Sequence, residues 1–85
     1  MSLKEQFTEA VVTSKTLPEK PDNEVLLTLY SLYKQATEGD SADEYIGGSF
    51  DFVAKYKYDA WAKLKGTTKD VAMQQYIDLV AQLKG

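Results

Sequence analysis

The sequence predicts an all-α protein, a single bundle of four amphipathic helices. Three observations lead to this fold class. Apolar residues recur with helical spacing in four separate stretches, Pro and Gly interrupt the chain between them, and no stretch alternates as a β-strand would. Its 85 residues suffice for one compact domain near the lower end of the usual size range. We therefore expect a single domain over residues 1–85.

The first two helices are separated by Pro18 and Pro21. The first is predicted from about residue 3 to about residue 16, because a helix ends before proline. The second is predicted from about 22 to about 37, with Pro21 at its opening and Gly39 at its close. The apolar face of the first helix consists of Leu3, Phe7, Ala10, Val11 and Ser14, and that of the second of Val25, Leu29, Leu32 and Ala36.

Residues 39–49 are rich in Gly, Ser and acidic side chains and are predicted to form a loop. The third helix follows and is closed by Gly66, and Thr67 or Thr68 caps the fourth. Because the connection between them is short, these two helices are predicted to be antiparallel neighbours. Their apolar stripes consist of Val53, Tyr56, Ala60, Trp61 and Leu64, and of Ala72, Tyr76, Leu79, Val80 and Leu83. Tyr56 and Trp61 lie on or near this stripe, which favours a core position for each over contact with a ligand.

The composition excludes several classes of protein. With neither Cys nor His, the chain has no disulfide framework, thiol nucleophile or imidazole base, so we expect no enzymatic activity, no metal and no cofactor. The net charge of −3 argues against nucleic acid as a partner. No apolar run approaches the length of a membrane span, so no stable membrane insertion is expected. These features predict a cytoplasmic monomer.

The charge is unevenly distributed. Residues 1–52 carry four Lys and ten acidic residues, whereas residues 54–69 carry five Lys and one Asp. A basic segment in an acidic chain favours a small anionic ligand over a polyanion. The alternative is that these lysines only solvate a helix face.

The second helix carries a further face, separate from its core stripe. Tyr30, Tyr33, Lys34 and Thr37 cluster there, with Leu26 at the edge. Phenol rings and an ammonium suit recognition of a heterocycle with phosphates, although the tyrosines alternatively widen the core and the lysine only extends to solvent. If the second and third helices lie side by side, Lys34 and Lys57 are predicted to converge on one phosphate. Neither is expected to have an acidic partner one turn away on its own helix.

Two segments resemble the signature regions of acyl-CoA-binding proteins. They are LYSLYKQATEGD, residues 29–40, and KYKYDAWAKLKGTTKDVAMQQYIDLV, residues 55–80. The resemblance implies an up-down-down-up four-helix bundle that binds long-chain fatty acyl-CoA reversibly, as an intracellular carrier and buffer of the acyl-CoA pool. It also implies transient contact with enzymes that use acyl-CoA. The alternative function is a helical protein-interaction module in which ligand binding is lost or incidental.

The resemblance also implies a set of ligand contacts. Tyr30, Lys34 and Lys57 match the residues that grip the ribose 3′-phosphate. The other matched positions are Tyr33 beside the adenine, Ala10 near it, Lys15 near the phosphates, Leu26 and Leu27 near the acyl chain, and Tyr76 as a further contact. The chain departs from the family pattern at three places. Gly47-Gly48 replaces the usual Pro-Gly pair, Val53 stands where the family often has Lys, and Tyr58 replaces a Trp.

Overall fold

The computed structural model describes residues 1–42, 45 and 51–85. It contains four helices, which are α1 (Leu3–Ser14), α2 (Asn23–Glu38), α3 (Phe52–Ala62) and α4 (Lys69–Lys84). No strand occurs within these described ranges. The all-α prediction is therefore confirmed, and the predicted helix ends agree to within two residues for α1 and α2. Most of the loop predicted over residues 39–49, with its Gly47-Gly48 pair, lies outside the described residues.

Each helix begins at a polar residue that caps its free backbone N–H groups. On α1, Ser2 and Glu5 form a capping box, in which each side chain accepts a hydrogen bond from the backbone N–H of the other. Asp22, Asp51 and Thr68 cap α2, α3 and α4 by accepting from the N–H three residues later, at 2.9, 3.0 and 3.1 Å. Of the two threonines predicted for the start of α4, the second is the cap.

Residues that share a cleft establish the directions of α1, α2 and α4. At one end of the bundle, the starts of α1 and α4 meet the end of α2, because Lys4, Lys69 and Thr37 line one cleft. At the other end, Lys15 and Leu26 line a common cleft, so the end of α1 meets the start of α2. Helices α1 and α4 therefore run in one direction and α2 in the other.

Helix α3 runs parallel to α2. The Lys57 Nζ atom lies 5.2 Å from the centroid of the Tyr30 ring, and the Lys34 Nζ atom lies 5.0 Å from the centroid of the Trp61 ring. Moving four residues towards the C-terminus of α2, from Tyr30 to Lys34, thus corresponds to moving four residues towards the C-terminus of α3, from Lys57 to Trp61. The up-down-down-up order that the resemblance implied is confirmed.

The helices pack in the spatial order α1–α4–α2–α3, since α4 contacts both α1 and α2, and α3 contacts α2 alone. The prediction that α3 and α4 run antiparallel is right, but the prediction that they are neighbours is wrong. Both helices pack on α2, so a short connection joins them without bringing their faces together. In the same way α4 holds α1 and α2 apart, which opens a groove between those two helices.

The hydrophobic core lies among α1, α2 and α4. Its buried members are Phe7, Ala10, Leu29, Leu32, Ala36, Ala72, Tyr76 and Val80. Helix α3 contributes no buried residue. The core position favoured for Tyr56 is wrong, because its side chain is 61% exposed, and Val53 on the same stripe is 67% exposed. Trp61 is half-buried. Only one face of α3 is covered, so the rest of its apolar stripe remains at the surface.

A polar network attaches α3 to the end of α2. The Trp61 indole N–H donates to the Gln35 side-chain carbonyl at 3.1 Å, and the Gln35 amide donates to Asp40 at 2.9 Å and to the Thr67 carbonyl at 2.7 Å. Asp40 also accepts the backbone N–H of Gly66 at 3.0 Å, where a φ of 90° suits glycine. Gln35 is fully buried, so its partners satisfy a side chain that would otherwise destabilise the fold.

Candidate functional site

Tyr30 lies where three clefts meet. The first, here called the α1–α2 cleft, has a volume of about 470 Å³ and is lined by Val11, Ser14, Lys15, Leu26, Leu29, Tyr30, Tyr33 and Tyr76. The second, the α2–α3 cleft, has a volume of about 450 Å³ and is lined by Asn23, Leu26, Leu27, Tyr30, Val53, Tyr56 and Lys57. The third, the Lys34 cleft, has a volume of about 280 Å³ and is lined by Tyr30, Lys34, Ala42, Tyr45, Ala54, Tyr58 and Trp61. Eight of the nine predicted contact residues line these clefts.

Tyr76 of α4 forms the buried floor of the α1–α2 cleft. Its hydroxyl donates a hydrogen bond to the Ser14 Oγ atom at 3.0 Å, and its ring meets the Phe7 ring edge to face at 5.2 Å between centroids. Burial raises the pKa of the Tyr76 phenol above its ordinary value, so this hydroxyl stays protonated at neutral pH. The floor of the cleft is therefore an uncharged aromatic surface with one fixed hydroxyl.

Tyr33 forms an exposed aromatic surface beside that floor. Its side chain is 41% exposed, and its ring stacks on Phe7 with centroids 6.0 Å apart and an angle of 24° between the planes. A ring that is supported from one side and open to solvent on the other suits stacking against a flat heterocycle. Helical spacing predicted that Tyr33 lies outside the core stripe of α2, and its exposure confirms that position.

Three cations lie around Tyr30, each at a different part of the site. Lys15 is exposed beyond the end of α1, at the rim of the α1–α2 cleft. Lys57 places its ammonium over the Tyr30 ring, and Lys34 places its ammonium over the Trp61 ring. Lys34 and Lys57 line two clefts that share Tyr30, and their convergence on one phosphate stays a prediction.

Lys34 is paired with Glu38, one turn further along α2. This ion pair raises the pKa of Lys34 above its ordinary value, with the hydrogen bond to Glu38 as the main cause. The prediction that Lys34 has no acidic partner one turn away on its own helix is wrong. The spacing of four residues was visible in the sequence and is the spacing at which helical ion pairs form.

The α2–α3 cleft has apolar walls from both helices. Leu26 and Leu27 of α2 are half-buried there, opposite the exposed Val53 and Tyr56 of α3. Val53 and Tyr56 were not among the predicted contact residues, because both lie on the predicted apolar stripe of α3. Lys57, next to Tyr56 in sequence, adds a cation to the same cleft. The cleft thus offers apolar surface with a positive charge at its edge.

Ala10 is the predicted residue that does not line the three clefts. It is buried in the core at 7% exposure, and the next residue, Val11, lines the α1–α2 cleft instead. The adenine contact proposed for Ala10 stays a prediction. In the described part of the chain, no group of three or more acidic side chains is placed to hold a metal ion.

These features define a class of protein, a small helical binding protein for an amphipathic anion. Aromatic rings, separated cations and apolar walls line three clefts that meet at Tyr30, and each suits a different part of such a ligand. In the described residues no helix has the length and apolar character needed to cross a membrane.

Comparison with known proteins identifies the family. Residues 4–80 match the family model described as Acyl CoA binding protein. The chain is 47% identical over 83 residues to an acyl-CoA-binding protein of Gossypium hirsutum. The alignment covers 98% of this chain and 92% of that protein. The crystal structure of Oryza sativa Acyl-CoA-Binding Protein 2 superposes with a TM-score of 0.87 at 44% identity, covering 96% of this chain and 90% of the other. This chain therefore belongs to the acyl-CoA-binding protein family.

A further relative shows that the same sequence pattern also occurs inside a larger protein. The chain is 48% identical over 79 residues to enoyl-CoA delta isomerase 2 of Rattus norvegicus. The match spans 93% of this chain but 20% of the isomerase. Most of that isomerase therefore lies outside the region of similarity.

Proposed function

We propose that this protein is a reversible, non-catalytic carrier of long-chain acyl-CoA esters that buffers their pool. The observation that carries the proposal is the meeting of three clefts at Tyr30, whose linings together supply cations, aromatic rings and apolar walls. Coenzyme A esters combine an aromatic base, phosphates and an alkyl chain. The site has matching surface for each of these three parts.

The nucleotide is proposed to bind along α2. Tyr33, stacked on Phe7, suits the adenine ring, and the Tyr30 hydroxyl with Lys34 and Lys57 suits the ribose 3′-phosphate. A phosphate accepts charge-assisted hydrogen bonds from ammonium groups, which are about twice as strong as neutral ones. Lys15 at the rim of the α1–α2 cleft is proposed to contact the remaining phosphates.

The acyl chain is proposed to lie against the apolar walls of the site. Leu26 and Leu27 are the residues that the family resemblance assigns to it, and we propose Val53 and Tyr56, which line the same cleft, as further contacts. Each methylene removed from water contributes about 0.8 kcal/mol, so affinity is expected to rise with chain length until the walls are covered. The length at which the rise stops measures the extent of the apolar surface.

The thioester is proposed to remain intact while it is bound. The chain contains neither Cys nor His, so it has no thiolate nucleophile and no imidazole base to attack the ester. The isomerase relative is five times longer than the matched region, and its activity is not carried over to this chain. We further propose that the protein works as a cytoplasmic monomer that transfers its ligand in transient contacts with enzymes.

Native mass spectrometry of the protein expressed in bacteria tests the carrier function. We expect copurified acyl-CoA, seen as a mass adduct that dissociates into intact ester. Isothermal titration calorimetry with palmitoyl-CoA, free coenzyme A and palmitate then separates the contributions of the nucleotide and of the acyl chain to affinity. The ester should bind far more tightly than either part alone. Absence of an adduct together with no heat from palmitoyl-CoA would instead favour the protein-interaction module.

A further inference from the structure

The Lys34 ammonium has an anionic partner within the protein itself. Its partner is the Glu38 carboxylate, one turn further along α2. The same ammonium lies 5.0 Å from the centroid of the Trp61 ring. The Lys34 side chain is 24% exposed and that of Glu38 is 52% exposed. The lysine to which the proposed function gives a phosphate is thus already paired with a carboxylate that is more exposed than itself.

A carboxylate and a phosphate compete for the same donors. An ammonium has three N–H groups, and Glu38 occupies at least one of them in this structure. A phosphate that approaches Lys34 also approaches the negative charge of Glu38, and like charges at short range repel. The phosphate must therefore displace the carboxylate or bind beside it at a reduced gain in energy.

The Lys34–Glu38 pair is weak enough to be displaced. Ion pairs of exposed side chains contribute between almost nothing and about 1 kcal/mol, because water screens the charges and both side chains lose freedom. Such a pair does not block the site, but its loss lowers the net free energy gained on ligand binding by a similar amount. When the ligand leaves, re-formation of the pair recovers that energy and favours release.

We propose that Glu38 is a positioning residue that holds Lys34 over Trp61 in the free protein and competes with the nucleotide phosphate for its ammonium. This proposal rests on the proposed function, because it requires Lys34 to bind a phosphate. Its consequence is a carrier whose affinity is set below the value that Lys34 alone would give. A lowered affinity speeds transfer of the ester to an acceptor, since most differences in affinity are differences in dissociation rate.

Helix α3 provides a matched control for this pair. Lys55 and Asp59 have the same spacing of four residues and are joined at 3.1 Å. Their side chains are 56% and 50% exposed. Neither residue lines any of the three clefts. Glu38→Gln and Asp59→Asn each remove one negative charge from one such pair, so both change the net charge equally.

Calorimetric titration with palmitoyl-CoA at low ionic strength compares the two variants. Glu38→Gln is expected to bind about three- to fivefold more tightly than the original protein, the size of one surface ion pair, whereas Asp59→Asn is expected to change by less than about 1.5-fold. High salt should reduce the gain. An unchanged or weakened affinity for Glu38→Gln, or an equal gain for Asp59→Asn, overturns the proposal.

Two further titrations show whether Glu38 acts through Lys34. In a Lys34→Ala background, the effect of Glu38→Gln on palmitoyl-CoA affinity should fall to that of Asp59→Asn, because the ammonium for which it competes is gone and only the loss of one negative charge remains. Dephospho-palmitoyl-CoA, which lacks the 3′-phosphate, should bind Glu38→Gln and the original protein equally. A gain that persists in either case contradicts competition for Lys34.

The same experiments separate this proposal from the proposed function. If the original protein binds palmitoyl-CoA and Lys34→Ala weakens that binding, but Glu38→Gln has no effect, the role of Glu38 alone is overturned. If the original protein does not bind palmitoyl-CoA, or Lys34→Ala binds it equally well, the phosphate site itself fails and the role of Glu38 fails with it.

Discussion

The three-helix part of the bundle, formed by α1, α2 and α4, differs from α3 in how it is held. Among the residues that the structure describes, every buried core residue lies on those three helices, whereas α3 contributes none. Helix α3 is attached to α2 by the Gln35 network and by the two ammonium–aromatic contacts at Tyr30 and Trp61. Apolar burial thus stabilises one part, and polar contacts position the other.

In this protein, different helices therefore provide stability and binding surface. A core among three helices leaves the apolar side chains of the fourth, among them Val53 and Tyr56, exposed for a ligand. The polar network fixes the position of Trp61 and therefore the surface on which Lys34 rests. Substitutions in the two parts should accordingly change different properties, stability in one and affinity in the other.

The largest expected effect is on the three-helix part. Leu32 is 4% exposed, and Leu32→Ala should lower the free energy of unfolding by about 2–4 kcal/mol, because it removes buried methyl groups and leaves a cavity. Urea denaturation followed by circular dichroism measures the loss. Val71→Ala on the exposed side of α4, where the side chain is 47% exposed, is the control and should change stability by less than about 0.5 kcal/mol. Similar losses for the two variants would contradict the location of the core.

Loss of the polar network should have the next largest effect. Gln35→Leu removes one acceptor of the Trp61 indole N–H and one donor to Asp40, which should cost about 1–3 kcal/mol. Trp61 is the only tryptophan in the chain, so its fluorescence reports directly on the attachment of α3. We expect a red-shifted emission maximum in the variant before denaturant is added. An unchanged emission and an unchanged urea midpoint would show that the network does not position α3.

Acid should weaken the same network. The Gly66 N–H, followed by the Gln35 amide, lowers the pKa of Asp40 below its ordinary value of 3.8. The contribution of Asp40 is therefore present above pH 3.8 and is lost as the pH falls through the lower pKa of the folded state. The difference in urea midpoint between the original protein and Asp40→Asn should shrink over that interval. A difference that does not vary with pH would exclude this carboxylate as the acid-sensitive group.

The smallest effect on stability is expected for the apolar surface of α3. Val53→Ser should change the free energy of unfolding by less than about 0.5 kcal/mol, since the side chain is 67% exposed. It should nevertheless weaken palmitoyl-CoA binding by roughly threefold, because it removes apolar surface from the α2–α3 cleft. Val71→Ser on α4 is the matched control and should leave affinity unchanged. Equal affinities for the two variants would remove Val53 from the site.

Helical periodicity predicts the elements of this fold but not which faces of them are covered. Ser2, Asp22 and Thr68 are local caps that the chain shows before any packing is known, so the helix ends were predictable to within a few residues. The stripe that contains Val53 and Tyr56 has the same spacing as a core stripe. Its exposure follows from the position of α3 at the edge of the bundle, which local sequence does not encode.

The site shows the same limit. Tyr30, Tyr33 and Lys34 were predictable as a separate surface because α2 alone places them there. That surface meets Lys57 and Tyr56 because α3 packs parallel to α2. The short α3–α4 connection instead suggested that α3 packs on α4, so it did not predict this meeting. The Lys34–Glu38 pair, by contrast, needed only the helical spacing of four residues.

The most direct test of the account compares Lys34→Ala with Lys55→Ala. Each variant removes a lysine that is paired with an acid four residues later, but only Lys34 belongs to the proposed phosphate site. Calorimetry should show a loss of about tenfold or more in palmitoyl-CoA affinity for Lys34→Ala, as expected for a hydrogen bond between charged groups. No loss is expected for Lys55→Ala, or for Lys34→Ala with the dephospho ester. Equal affinity of both variants for palmitoyl-CoA would contradict the account.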